Sequence, residues 1–535
     1  MIKHASRSWL QQSDVLIIMN IFLKTAAAAR SSSFHSRAPY RAQRDIFYRL
    51  LSSGSQTRFG RDHGFDRLVG LPFDVAYAYY RENVPIRTYA DFWNEYFSPG
   101  FRKKNGKVSI LLENVTWPGR VPFYCETSGT TAPTKFIPFT REMFAENRRA
   151  AVDMTACYLA KSVNSKLFGG KLLYMSGNTD LREVGSGAYS GDMSAITLRN
   201  RPLYLRPFIA PDEETSRLPW EQKVEAMARL LLKDDTIRGI SGVPPWILLL
   251  LKRCAEMGGK EVSELLPHLE LIIHGGTSMK PYRGEFDRLF GTRQPALLEL
   301  LPSSEAFMAF QVPGEELMRF TPYYGVFFEF VSFEHLDERG TPRFDATAVP
   351  LEEIELNKRY AVILSTCAGL WRYHIGDTLR FTSHDPLFMK FTGRDRFLDR
   401  FEEKVTQGEV EEAVADLNRI PGVDVREFLV GPHIADRRHL WILALRHDSI
   451  RNNALFADRL DSSLMSQNAD YAAFRSQARI AKPEVISVDE GLIYTWSKKM
   501  RGKLGGQSKI PHIDPTPDGE MTRSLVEYVK ANTTR

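Results

Sequence analysis

Cysteine is scarce: Cys125, Cys157, Cys254 and Cys367 are the only four in 535 residues, and no two form a C-x-x-C pair. That spacing excludes a disulfide framework and a zinc ribbon. It fits a reducing compartment, so a cytoplasmic location is expected. Long apolar runs are missing as well. The stretch VPPWILLLL, Val243 to Leu251, reads as a buried element, far short of the ~20 residues a membrane span needs, so no membrane partner is expected. Charge of one sign is not in excess: 71 Lys and Arg against 65 Asp and Glu leave +6, too little for a dedicated nucleic-acid binder. There is no internal repeat, no G-x-x-x-x-G-K-[ST] loop and no G-x-S-x-G elbow, so the common P-loop and the hydrolase nucleophile are excluded. GSGAYSG, Gly185 to Gly191, misses the dinucleotide spacing by one residue. The histidines show no metal-ligand spacing, and His433 and His439 read as surface residues.

What is present is a globular composition, 43% hydrophobic and 25% charged, in a chain too long for one core. Residues 1–40 carry five basic residues against Asp14, with VLIIMNIFL and AAAARSSS. They are expected to be an extension: an over-extended start, an N-terminal helix or a targeting segment. Ala42 to Gly64 reads as an amphipathic helix running into a Ser/Gly loop. Thr140 to Val163 reads as a helix with a threonine cap. Leu269 to Gly276 reads as a buried strand ending in a glycine turn, and Arg359 to Thr382 as two strands around a turn. Strands alternating with helices predict an α/β architecture with its sites at strand ends. After Phe391 the texture becomes highly charged. A hairpin from Val425, a helix NALFADRLDSSLMSQ and a basic, glycine-rich tail follow. The expected organisation is a large multi-sheet N-terminal domain, 41–394, and a small mobile α+β domain, 395–535, joined near Gly393 to Arg396.

The densest chemistry lies in YCETSGTTAPTKFIPFT, Tyr124 to Thr140. Gly129 permits close backbone approach, while the hydroxyls of Thr127, Ser128, Thr130 and Thr131 and their N–H groups suit phosphate oxygens. Lys135 adds a point charge for the β- and γ-phosphates or departing pyrophosphate. A polar surface turn is the plain alternative.

Further stretches stand in order with it: TRFGRDHGF, SGDMSAI, GISGVPPW, LPSSEAF, LWRYHIGD and GKLGGQSKIP, from about Thr57 to Pro511. This ordered set resembles the adenylate-forming superfamily. Within it, the set is most similar to the auxin-responsive acyl-acid amido synthetases, which conjugate jasmonate or auxin to amino acids. The resemblance implies ATP and Mg²⁺. It places Mg²⁺ on Glu305, the α-phosphate and adenine near Ser303 and Ser304, and an adenine-side loop at Gly275 and Gly276. Asp377 would hold the ribose hydroxyls, with Arg394 following at the linker. A single carboxylate is enough for a cation shared with phosphates, and an ionised Asp can accept from two hydroxyls. The competing readings are a helix-capping serine with a first-turn glutamate for Ser303 to Glu305, and ordinary turns for the glycine pair and for Gly376-Asp377. Lys509 and Lys503 are the two candidates for a catalytic C-terminal lysine, with Lys509 preferred and a solvated basic tail as the alternative. Val243 and Trp246 are candidates for the acyl-pocket wall, with plain core as the alternative. Leu301 departs from the family, which often has tyrosine there; Ala132 and Pro133 depart where many relatives carry glycine.

The expected function is an ATP-dependent acid–amine ligase that adenylates a small carboxylic acid and passes the acyl group to an amino acid. Transfer to a thiol (coenzyme A or a carrier protein) and a nucleotide-binding protein without catalysis are the alternatives.

Overall fold

The computed structural model describes residues 13–104, 107–127, 135–177, 179–185, 187–337, 340–394, 397–398, 400–401, 403, 405–501, 510–516 and 518–533. Three helices matter for the first half: α1 (Ser13–His35), α2 (Pro39–Gly54) and α3 (Arg141–Lys161). The N-terminal helix is thus the form that 13–35 take. Its second half is tied to α3 through buried Asp153, which accepts from Arg30 at 2.5 Å, Arg37 at 2.7 Å and the Tyr324 hydroxyl at 2.7 Å. Helix α2 starts earlier than expected, because Pro39 suits a first turn whose N–H groups have no intrahelical partner. Thr140 caps α3 as expected: its Oγ1 accepts from Met143 N–H at 3.1 Å.

The strands of the large domain's two larger sheets are, in chain order, β1 (Phe123–Thr127), β2 (Lys135–Phe139), β3 (Lys171–Tyr174), β4 (Arg182–Glu183), β5 (Tyr189–Gly191), β6 (Ile209–Ala210), β7 (Ile237–Gly242), β8 (Leu271–Gly275) and β9 (Ala296–Pro302). They continue with β10 (Phe307–Gln311), β11 (Met318–Phe320), β12 (Val326–Ser332), β13 (Ala348–Pro350), β14 (Arg359–Thr366), β15 (Tyr373–Phe381) and β16 (Phe388–Arg394). Twelve of them form one sheet in the order β13-β12-β14-β15-β16-β11-β10-β9-β8-β7-β3-β6. From β6 to β9 the neighbours are parallel, and from β9 to β13 antiparallel. The change falls at the β9–β10 turn, which holds Ser303 to Glu305. A smaller sheet runs β2-β1-β5-β4.

The parallel strands are apolar on both faces because helices cover both. Along β8, Leu271 and Ile273 pack with Cys157 of α3 and Phe34 of α1. Ile272 points the other way, toward α4 (Trp220–Lys233), α5 (Pro244–Gly258) and α6 (Arg283–Phe290). Alternation along a strand assigns each residue to one of two cores.

The small domain is α+β. β17 (Val425–His433) and β18 (Arg438–Leu445) form the expected hairpin, and β19 (Glu484–Asp489) joins β18 in parallel. Around them lie α7 (Gln407–Asn418), α8 (Asn453–Gln467), α9 (Leu492–Arg501) and α10 (Glu520–Thr533). His439 corrects the surface reading. It points inward from β18, fully buried, with Nε2 2.8 Å from the Glu403 carboxylate and its ring stacked on Tyr471. His433, at the strand end, remains partly exposed.

The domains meet closely at the N-terminus of α7. A Cβ on Gly393, whose φ is +108°, would stand 3.2 Å from Gly408 N, and one on Gly408 would stand 3.1 Å from the Thr392 carbonyl oxygen. Only glycines allow this approach. Ion pairs cross elsewhere: Arg359 to Glu409 at 2.9 Å, Arg288 to Asp424 at 2.7 Å, Lys252 to Glu490 at 3.4 Å and Arg426 to Glu285.

Candidate active site

The hydroxyl-rich segment joins β1 to β2, which pair antiparallel with Thr127 opposite Lys135. It is therefore the connection of a β-hairpin. Ser128, Gly129, Thr130 and Thr131 fall outside the described residues; Thr127 and Lys135 form its base. Lys135 Nζ lies over the Tyr89 ring, 5.6 Å from the centroid. The Tyr89 hydroxyl accepts from Phe136 N–H at 2.8 Å. Tyr89 is a residue the sequence did not flag, and only this cross-chain contact reveals it.

Lys135 also reaches electrostatically to the start of β15. His374 there has its pKa lowered to about 4: burial is the main cause, Asp337 opposes it and the charge of Lys135 adds to it. The hairpin base and the strand carrying Asp377 are thus neighbours.

One strand residue behind the hairpin, Cys125 is fully buried on β1. Burial pushes its thiol well up, the carboxylates of Glu305 and Asp192 add to the shift, and a hydrogen bond with the Ser304 side chain opposes it. Glu126, next to it, accepts from Arg182 at 2.6 and 2.7 Å and from Ser190 Oγ at 2.6 Å. The stretches SGDMSAI and LPSSEAF, far apart in sequence, therefore converge on β1. Asp192 gives the neighbourhood a second carboxylate.

The turn holding Ser303, Ser304 and Glu305 does not start a helix. Ser303 N–H donates to the Ala306 carbonyl at 2.8 Å, and Ser303 Oγ accepts from Glu305 N–H at 3.2 Å and Ala306 N–H at 2.9 Å. Ser303 is thereby spent on shaping a hairpin turn, a usual role for serine. Glu305 is buried on that turn, with 9% of its surface exposed. Among the described residues no three His, Cys, Asp or Glu side chains cluster into a metal cage. The carboxylates of Glu305 and Asp192, both near Cys125, suit a magnesium ion that takes its other ligands from phosphates and water.

Gly275 closes β8 opposite Leu300 of β9. A Cβ there would stand 2.4 Å from the Leu300 carbonyl oxygen, so glycine is required by strand approach alone. Gly276 turns the chain with φ +83°. Both lie at the carboxyl end of parallel strands, next to the Ser303 turn, where α/β sheets open a crevice.

Asp377 does not sit in a turn. Gly376, φ +86°, and Asp377 lie inside β15, where the register with β14 slips between Ala361 and Ile363. This is a bulge, which re-aims side chains without ending the strand. A bulge leaves the same sequence trace as a turn, since both need a positive φ. Across the next ladder Asp377 pairs with Arg394 of β16, so the expected ribose residue and the arginine expected after it are direct strand partners. Of Arg394 only the backbone is described.

Val243 caps the N-terminus of α5 and Trp246 lies in its first turn. The Trp246 ring packs against Trp220 at 4.9 Å and against Tyr494 of the small domain at 6.0 Å. Its indole thus packs in the core and at the domain contact. Lys503 and Lys509 lie outside the described residues.

One group was missed entirely. Glu299 sits in the apolar run ALLELLP, and that lone charge was the available signal. Burial raises its pKa to about 7; Glu411 of α7 adds to the rise and Lys280 opposes it.

Three family models match in order: the GH3 family N-terminal domain over residues 32–243, the central domain over 320–394 and the C-terminal domain over 407–517. The chain is 30% identical over 224 residues to indole-3-acetic acid-amido synthetase GH3.4 of Arabidopsis thaliana, a match covering 37% of this chain and 36% of that protein. It is 27% identical over 356 residues to GH3.8 of Oryza sativa subsp. indica, an enzyme of the same name, covering 62% of this chain and 54% of the other. The matches thus span about half the length of these curated relatives, or less. Among solved structures, the acyl acid amido synthetase GH3.15 in complex with 2,4-DB superimposes with a TM-score of 0.69 at 17% identity, over 95% of this chain and 96% of that one. A 2-hydroxyisobutyryl-CoA ligase in its postadenylation state gives 0.53 at 12% identity over 92% of each chain. At such identities the two structures speak for the fold. The three ordered segments speak for descent, and the chain belongs to the GH3 family.

Proposed function

We propose that this protein is an ATP-dependent, AMP-forming ligase that joins a small carboxylic acid to an amino acid through an amide. The observation that carries the reading is the convergence on β1. The base of the hydroxyl hairpin, Thr127 and Lys135, the Ser304–Glu305 turn and Asp192 gather around one strand. The paired Asp377 and Arg394 lie on the strands beyond His374. Phosphates, a divalent cation and a ribose need these chemical types within one nucleotide length.

In this reading the hairpin connection, with Ser128, Gly129, Thr130 and Thr131, embraces the phosphates, and Lys135 faces the departing pyrophosphate. Gly275, Gly276 and Ser304 border adenine and the α-phosphate, and Asp377 accepts from the ribose hydroxyls. Glu305 would hold Mg²⁺, with Asp192 nearby; the ion supplies charge neutralisation as the phosphates crowd together. The carboxylate of the acid attacks the α-phosphate, forming the acyl–phosphate bond and releasing pyrophosphate. The amine then attacks the acyl carbon, loses a proton and expels AMP. No covalent protein intermediate is required, because AMP is a good leaving group. Val243 borders the acid end of the crevice.

The test is acid-dependent exchange of labelled pyrophosphate into ATP across a panel of carboxylic acids, followed by amide detection with a panel of amino acids. Glu305→Ala should abolish exchange while the protein stays folded by circular dichroism. Exchange that survives in Glu305→Ala at saturating Mg²⁺ removes Glu305 from the site. Exchange with no amide, but with thioester on adding coenzyme A, moves the reading to the thiol-acceptor alternative. ATP binding with no exchange leaves a nucleotide-binding protein.

A further inference from the structure

Ile510 to Asp514, which follow the lysine-bearing tail in sequence, are anchored to the small domain. Val430 N–H of β17 donates to the His512 carbonyl at 2.8 Å, and Asp514 N–H donates to the Val430 carbonyl at 2.7 Å. Between these bonds the His512 ring is 4% exposed. Its Nδ1 lies 2.9 Å from Glu411 of α7 and its Nε2 3.2 Å from Glu427 of β17. The ring stacks on Phe428, centroids 4.1 Å apart. An imidazole held at both nitrogens by carboxylates must donate twice, so it is an imidazolium.

The surroundings make that charge consequential. Glu411 also accepts from Gln407 at 2.8 Å. Facing α7 and β17 from the large domain are Lys280 and Tyr282 of the short helix Lys280–Tyr282, and Glu299 of β9. His274 of β8 stands beside Glu299 in register, with Arg283 near it. Lys280 is itself paired with Glu412. Buried Glu411 and half-buried Glu299 and Glu427 therefore lie where the domains touch, and His512 is the cation placed between two of them. Buried like charges are costly unless paired.

We propose that His512 is a positioning residue of the ligase. Its imidazolium fixes the root of the segment bearing the C-terminal lysines and neutralises the acidic face that the small domain turns toward Glu299. Lys509 precedes it by three residues in sequence, so the position of one sets the reach of the other. Burial alone would lower the His512 pKa, but the bonds to Glu411 and Glu427 outweigh it and raise it to about 10. The cation therefore persists throughout the neutral range. The proposal rests on the adenylating reading for its kinetic part only.

The test uses the full chain with three variants: His512→Gln, His512→Lys and the double variant His512→Gln with Glu299→Gln. Amide hydrogen exchange needs no substrate. Losing a charge-assisted hydrogen bond should speed exchange at residues 510–516 and Val430 about 10-fold or more in His512→Gln, and much less in His512→Lys. In pyrophosphate exchange, His512→Gln should lower kcat about 10- to 100-fold, leave the KM for ATP within about threefold, and spare amide formation from preformed adenylate. His512→Lys should restore most of the rate, and Glu299→Gln should recover part of it in the His512→Gln background, because one carboxylate fewer needs a counter-charge. Equal loss in both half-reactions, no rescue by lysine or unchanged hydrogen exchange overturns the proposal. If His512→Gln does not fold, Glu411→Gln, which leaves the Glu427 pair, must show the same pattern more weakly or the idea falls. A wild type with no pyrophosphate exchange for any acid sinks the ligase reading, while hydrogen exchange still judges the anchor.

Discussion

At the scale of single residues, environment decides chemistry more than residue type does. Asp377, buried, and Glu299, half-buried, are both acids at strand positions, yet their surroundings differ. Asp377, on a bulge and in register with Arg394, is the residue proposed to accept from the ribose hydroxyls. Removing such a charge-assisted interaction costs roughly 1.5–3 kcal/mol. Asp377→Ala should therefore weaken ATP binding about 10- to 100-fold, read by calorimetry; unchanged affinity ends the ribose assignment. Glu299 instead carries a raised pKa of about 7, caused by burial and then by Glu411. A carboxyl whose folded pKa lies above its unfolded one stabilises the fold below the unfolded value, and that contribution is lost as pH rises through the folded value. The wild-type melting midpoint should thus fall between about pH 5 and pH 8.5 by more than that of Glu299→Gln, which has nothing to ionise there. Parallel melting curves for the two proteins across that range would mean that Glu299 is not a buried proton carrier.

Whole elements show what the sequence could and could not disclose. The helix α8, Asn453–Gln467, spans the stretch its pattern predicts, because its N-cap Asn452 and apolar spacing are local signals. The strand KFIPF and the buried strand before Gly275 were legible for the same reason. Trp246, His439 and the Gly376 bulge were not, since each is defined by partners outside its own element: Trp220 and Tyr494, Glu403 and Tyr471, and the neighbouring strand. The motif TRFGRDHGF is a related case. Its Phe59 and Phe65 rings pack on Trp371 of LWRYHIGD at 5.9 and 4.7 Å, so two stretches that carry the family resemblance support each other as core rather than as chemistry. Helix α1 likewise has no motif, yet Asp153, held also by the Tyr324 hydroxyl, secures it through Arg30 and through Arg37 just past its end. Truncating one member of a buried ion network costs about 3–5 kcal/mol. Asp153→Ala should accordingly lower the thermal midpoint and speed hydrogen exchange in residues 24–35, with the small domain unaffected. Protection of α1 equal to that of the wild type would show that apolar packing of Phe34 holds it without the pairs.

At the scale of the molecule, the proposed ligase reaction requires the two domains to present different groups to two successive steps. Completing a site by domain movement is a common use of such an architecture. The contacts that join the domains here include several part-exposed ion pairs, and polar interfaces allow one docking to be exchanged for another. Lys509 and Lys503 belong to the tail that His512 ends, and one of them should face the α-phosphate only while the adenylate forms. A preorganised cation at that point is worth about 10²- to 10³-fold in rate. Lys509→Ala should therefore cripple pyrophosphate exchange and still convert a chemically prepared acyl-adenylate and amine into amide. The second step is spared because the carbonyl is already activated and less charge develops on phosphate. The measurement is paired, with exchange from acid and ATP beside amide formation from preformed adenylate. Equal losses would make Lys509 structural or a permanent member of the site, and an intact exchange rate would transfer the role to Lys503.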